Sequence, residues 1–267
     1  VPYGSTAKIM LGISEVLNEE GIENMVSSGY SYHPIEMPKN YIMIGSAFSK
    51  ALHILLSKIT GLHGIFSYLR KIKKMGVDII HLHNLHGWYI NIPLLFKFIK
   101  KNNINVIWTL HDCWAFTGHC PHYDMVGCEK WKTECRNCSQ YNGYPKTYFD
   151  RSKKMFSLKK KWFLGVRDLT IVTPSYWLAE QVKQSFLKDY PIKVINNGID
   201  LSVFKPQKSD FRVKYSLQDK KIILGISYDW TEKKGIDVFL KLAEKLPENY
   251  KIVFVGTHKK FDHILSI

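Results

Sequence analysis

The sequence predicts an α/β fold built on a largely parallel sheet with helices on both faces. Short apolar, β-rich runs alternate along the chain with segments of helical period. Polar or small residues able to meet a ligand follow most of those runs, where open α/β sheets bind. The 267 residues, 45% of them hydrophobic, suffice for one large domain or two ordinary ones.

The candidate strands are residues 78–83, 105–110, 169–173, 192–196, 221–227 and 251–256. Between them, Ile9, Ile13, Val16 and Leu17 fall at helical spacing, as do Leu178, Val182 and Phe186. Each set reads as a helix covering the sheet. A proline-containing polar stretch at 204–210 suggests a boundary, giving a first domain over 1–205 and a second over 206–267. That second part holds two strands and one good helix, too little to bury a core unaided, so it should be unstable or leave an exposed edge. The chain opens on Val1 and closes on the apolar run Ile264-Leu265-Ser266-Ile267, and is expected to be a piece of something longer at both ends.

The formal charge is +15, with clusters at Arg70, Lys71, Lys73 and Lys74 and at Lys153, Lys154, Lys159, Lys160 and Lys161. Such an excess attracts polyanions, whether nucleic acid, an anionic membrane or a diphosphate; a solvated basic face explains it equally. No stretch approaches the roughly 18 apolar residues of a spanning helix, and no signal-peptide layout is present. A cytoplasmic protein is the expectation, with peripheral contact on the inner face of the membrane suggested by the basic, apolar segment 48–75 (Phe48, Leu52, Leu55, Leu56 and Ile59 with Lys50 and Lys58). Core packing accounts for the same stripe.

Several positions bear chemistry. Gly4-Ser5-Thr6 precedes the first helix and leaves N–H groups free for an anion or sugar hydroxyls, or is an ordinary cap. His81, His83, Asn84 and His86 follow the first clear strand; alternate pointing puts His81 and His83 on one face, suited to hydrogen-bonding a polar ligand. His111-Asp112 closes the next strand. The histidine can offer one nitrogen to a ligand hydroxyl and the other to a backbone carbonyl that fixes its tautomer, while the carboxylate either serves the cleft or caps the loop. Ser175 begins a helix after the 169–173 strand, as a cap or a ligand contact, and Asn196-Asn197-Gly198 ends the next strand in a turn. Lys233-Lys234-Gly235 lies between the 221–227 strand and a helix starting near Ile236, where an ammonium and helix N–H groups can meet a diphosphate.

All five cysteines sit in one insertion: Cys113, then Cys120, Cys128, Cys135 and Cys138 as C-x7-C-x6-C-x2-C. Without an export signal the thiols should stay reduced, which favours a closed tetrahedral structural zinc on the last four over disulfides. Reduced, buried cysteine is the plain alternative.

In order, GSTAKIMLGISE, IIHLHN, WTLHDCWAFTGHC, CEKWKTECRNC, IVTPSYWLAEQV, VINNGIDLSVFKP and WTEKKGIDVFLKLAEKL with VFVG resemble glycosyltransferase family 4, retaining enzymes of the two-Rossmann GT-B architecture. The cysteine-bearing stretch resembles a bacterial subgroup acting in capsular, exopolysaccharide or colanic-acid-type synthesis. The resemblance implies transfer of a sugar from a nucleotide-sugar donor to a glycan or lipid-linked acceptor, by same-face attack in which the leaving phosphate helps deprotonate the acceptor. It implies that Gly4 and Ser5 lie under the donor phosphates, that the catalytic-site His111 faces the donor sugar, and that Lys234, with Gly235, holds the diphosphate. His83, Asn84, Asp112, Ser175 and Asn197 become candidate acceptor or cleft residues. No catalytic metal is implied. Two departures stand out: Tyr228 replaces the arginine usual six residues before the lysine, and the pair of glutamates spaced by seven would lie beyond Ile267. The 267 residues alone are therefore expected to transfer little or no sugar.

A nicotinamide-dependent oxidoreductase shares the alternation, but no G-x-G-x-x-G follows a candidate strand. A zinc-containing basic nucleic-acid-binding module would explain charge and cysteines together. Its basic residues are scattered over several helices, and nucleic acid is not the expected partner.

Overall fold

A computed structural model describes residues 4–29, 37–44, 67–86 and 89–257. It divides into two compact units, Val1–Gly198 and Ile199–Ile267. The division falls slightly before the proline stretch because the chain leaves its last sheet strand after Val194, and Ile199, Leu201, Val203 and Phe204 beyond it are exposed.

The first unit runs α1 (Ser5–Glu19), β1 (Val26–Gly29), β2 (Tyr41–Ile44), α2 (Ser67–Met75), β3 (Ile79–Leu82), α3 (Ile92–Asn102), β4 (Asn105–Thr109), α4 (Ser152–Phe163), β5 (Leu169–Thr173), α5 (Tyr176–Lys183) and β6 (Ile192–Val194). Four strands form one parallel sheet in the order β3-β4-β5-β6. Strand-helix-strand crossovers give such a sheet, so the expected α/β class with Rossmann-like parallel sheets is what the chain adopts. One consequence matters for function. Every strand of this sheet ends on the same edge, and the residues after β3, β4, β5 and β6 are brought together there.

The core lies under that edge. Trp108 of β4, almost wholly buried, packs against Phe96 of α3 and Phe163 of α4 with ring centroids 5.7 and 4.8 Å away. Helix α3 buries Ile92, Leu95, Phe96 and Ile99, a stripe of helical period. It starts where the Asn91 side chain accepts from Leu94 N and stops where Asn103 turns left-handed at φ 49°.

Strands β1 and β2 pair in parallel as a separate ribbon that the sequence reading does not include. Val-Ser-Ser-Gly has no apolar run to announce a strand, yet its backbone is buried, with the Ser28 hydroxyl 2.8 Å from that of Tyr41. Gly29 is required by space: a Cβ there would collide with the side chain of Tyr89.

The second unit contains α6 (Phe211–Lys214), β7 (Lys221–Asp229), α7 (Ile236–Ala243) and β8 (Tyr250–Thr257). Its two strands pair in parallel around Trp230, Phe239 and Phe254. Leu224, Ile226 and Val255 remain exposed, as expected of a two-stranded sheet. Most of the 48–75 segment, including Lys50, Lys58 and its apolar stripe, lies outside the described residues. Among the described residues no helix is long and apolar enough to cross a membrane.

Candidate active site

Adjacent parallel strands β3 and β4 carry their post-strand residues side by side, which assembles two linked pairs from the loops that follow. In the first, His83 Nδ1 is 3.0 Å from His111 Nε2. His81 stacks on His83 at 4.5 Å and bonds through Nε2 to Thr109 Oγ1 at 2.8 Å, giving a ladder of three imidazoles with a hydroxyl at its foot. The partner that orients the His111 ring is thus another imidazole, where the sequence suggests a backbone carbonyl; strand register brings the two rings together.

Burial, reinforced by the charges His81 and His111 would carry, pushes His83 down to about 3. Burial also lowers His81 and His111, in the latter against the opposing charge of Asp112. At neutral pH the ladder is uncharged. Each ring then has one N–H and one lone pair, so one of His83 Nδ1 and His111 Nε2 donates to the other, and His111 Nδ1 is the nitrogen not used on His83.

The second pair is His86 with Asp112, joined at 2.8 Å and largely buried. Asp112 also accepts from Trp114 N at 2.9 Å, and His86 Nδ1 lies 3.1 Å from the Tyr144 hydroxyl. Burial opposes charge on Asp112, but the hydrogen bond and charge of His86 and the Trp114 N–H outweigh it and hold the carboxyl below its usual value. Asp112 Oδ1 thus holds the start of the turn at Trp114–Phe116, while Oδ2 braces His86. His83, Asn84, His86, His111, Asp112 and Trp114 line a single shallow hollow.

At the far side of the same edge the Ser175 hydroxyl accepts from Leu178 N at 3.3 Å, an N-cap for α5. Asn196 donates to Pro174 O at 2.9 Å, tying β6 to the start of that helix, and Asn197 beside it is exposed. Gly4 stands at φ 96° before α1, with its carbonyl accepting from Lys8 N; Ser5 and Gly4 are exposed and no side chain caps that helix end. In the second unit Gly235, at φ 73°, joins the turn Glu232–Lys234 to α7, and Lys234 is exposed. Glycine enters that backbone region without strain. Tyr228 is fully exposed on β7.

Cys120, Cys128, Cys135 and Cys138 line one cavity in the insertion. Among the described residues, however, no three histidine, cysteine or acidic side chains stand at metal-holding spacing. Beside it lies the largest departure from the sequence reading. Lys159, taken there as part of a basic surface cluster, is 1% exposed, its ammonium donating to Trp114 O at 2.6 Å and Thr117 O at 3.0 Å and lying 3.4 Å from the centre of the Trp114 indole. Burial pulls it down to about 7, opposed by Cys135, Asp112 and Cys120. Its signal was available: with Met155, Phe156 and Phe163 it falls on the buried stripe of α4. His86 was named but not its pairing with Asp112, 26 residues on, and Tyr144 was missed, its partner His86 lying 58 residues away.

The model of Glycosyltransferase Family 4 matches residues 29–203, more than half of the chain and all of the sheet edge just described. Over 134 residues, 48% of this chain, the sequence is 33% identical to WcaC of Escherichia coli (strain K12), whose name assigns it to colanic acid biosynthesis as a glycosyl transferase. The chain spans about a third of that relative, 32% of its length. With a parallel sheet, a histidine ladder at its carboxyl edge and a family match covering both, the chain belongs to glycosyltransferase family 4.

Proposed function

We propose that the protein acts in cell-surface polysaccharide synthesis, transferring a sugar from a nucleotide-sugar donor to a glycan or lipid-linked acceptor with retention of configuration. The observation that carries the reading is the family match over the whole edge bearing His83, Asn84, His111, Asp112 and Ser175. In the reaction the anomeric carbon–phosphate bond breaks, a glycosidic bond forms to an acceptor oxygen on the same face, and the acceptor proton passes to the departing phosphate. The nucleoside diphosphate leaves.

His111 faces the donor sugar as a neutral imidazole, able to bond a sugar hydroxyl through the nitrogen not held by His83. Lys234 and the N–H groups near Gly235 hold the diphosphate, stabilising negative charge as it develops, so no metal ion is needed for the chemistry. Peripheral association with an anionic membrane would bring the protein to a lipid-linked acceptor; the basic last turn of α2, with Lys73 and Lys74, supports it.

Calorimetric titration with UDP, GDP and ADP, set against a short single-stranded DNA at 50 and 200 mM salt, tests this reading. Binding of at least one diphosphate, weakened about tenfold or more in Lys234→Ala, is expected from loss of a charged hydrogen bond. No diphosphate binding together with DNA affinity that falls steeply with salt would point to the nucleic-acid module instead.

A further inference from the structure

We propose that Cys120, Cys128, Cys135 and Cys138 form a zinc-thiolate site that ties the 113–150 insertion together, with Lys159 as its buried counter-charge. This stands independently of the glycosyl-transfer reading. The four thiols line one cavity of about 270 Å³. Cys120 and Cys138 already share a hydrogen bond, and Cys135 and Cys138 have the C-x2-C spacing of zinc sites. The sulfurs must still draw inward, because no three donors stand at metal-holding spacing. The insertion can yield: its regular structure is three short turns, Trp114–Phe116, Tyr123–Val126 and Lys130–Lys132.

The surroundings argue for negative charge in that cavity. Gly118 N donates to Cys135 Sγ at 3.1 Å, and Gln140 gives a backbone hydrogen bond to Cys138. The Trp131 indole N–H, an obligate donor, lines the same wall, buried with no hydrogen-bond partner among the described residues, and His119 Nε2 lines it likewise unpartnered. Lys159 is a buried ammonium held by carbonyls and an indole face, and its salt-bridge partners include no carboxylate within 4 Å among the described residues. A buried cation requires compensation. Donors and a cation around four sulfurs fit an anionic centre. When Zn²⁺ binds four thiols, four protons go to solvent and a tetrathiolate of net charge −2 remains, whose sulfurs accept those hydrogen bonds. Cys113 does not line the cavity and is excluded from the set.

The test is zinc content by mass spectrometry on the full 267-residue chain, with Co²⁺ substitution read by absorption. About one zinc per chain is expected, with intense visible d–d bands and a sulfur-to-cobalt charge-transfer band in the cobalt form. Cys135→Ser and Cys138→Ser should lose the metal, Cys113→Ser should keep it, and Lys159→Met should weaken zinc binding 10–100-fold, as loss of an outer partner does. Should the cysteine variants not fold, the cobalt spectrum of the unsubstituted chain decides. A metal-free chain whose thiols all react with a disulfide reagent, a mapped Cys120–Cys138 disulfide, or a cobalt spectrum lacking the sulfur band would overturn the proposal. Unchanged affinity in Lys159→Met would overturn the counter-charge, and zinc lost in His119→Gln but kept in Cys128→Ser would overturn the four-cysteine set.

Discussion

His83 is held neutral by its surroundings, and that has a cost in acid. A histidine whose folded pKa lies below its unfolded value stabilises the protein above the unfolded value, near 6.5, and loses that contribution as pH falls toward the folded one, here about 3. Stability should therefore decline from about pH 6.5 downward, by up to about 1.4 kcal/mol per pH unit for each such group, with His81 and His111 adding to the slope. Urea titrations at pH 7, 6 and 5 check this. His83→Gln should flatten the profile by at most one proton's worth, and an unchanged profile would mean His83 is not buried as described. Asp112 acts in the same direction with pH, its depressed carboxyl being stabilising when charged and losing that contribution as pH falls: Asp112→Asn should cost about 1–3 kcal/mol in denaturant unfolding at pH 7, because His86 loses a carboxylate hydrogen-bond partner and Trp114 a charged cap. At this scale the sequence was half legible. Residue types after strands pointed to the edge, but which of them bond to one another depends on register between strands 25 or more residues apart, and spacing along the chain does not contain it.

The elements were more readable, for the same physical reason that they form. All six expected strands are present: those of the four-stranded sheet because apolar β-branched runs bury themselves in a sheet covered on both faces, and β7 and β8 although Leu224, Ile226 and Val255 stay exposed. β1 was missed because its burial is achieved by serine hydroxyls and a glycine, so it carries no apolar pattern. That glycine gives a sharp test: Gly29→Ala should cost about 1–3 kcal/mol by overpacking against Tyr89, whereas a tolerated alanine would contradict the close approach. Trp108→Ala should cost about 3–5 kcal/mol, since the indole fills the space between α3 and α4 and its N–H donates to His83 O at 3.1 Å. The same substitution should perturb the histidine ladder, linking core packing to the site by one hydrogen bond.

For the whole molecule, a parallel sheet, a neutral imidazole at its edge and a family match support the proposal that His111 lies against the sugar of a nucleotide donor. The most direct measurement is nuclear magnetic resonance with histidine-labelled protein and UDP-glucose or GDP-mannose as donor probes, irradiating the imidazole protons and reading saturation on the sugar. The account predicts transfer to the sugar-ring protons that disappears in His111→Ala while nucleoside diphosphate binding persists. Saturation that reaches the sugar undiminished in His111→Ala, or donor binding that leaves the His111 resonances unmoved, would contradict it.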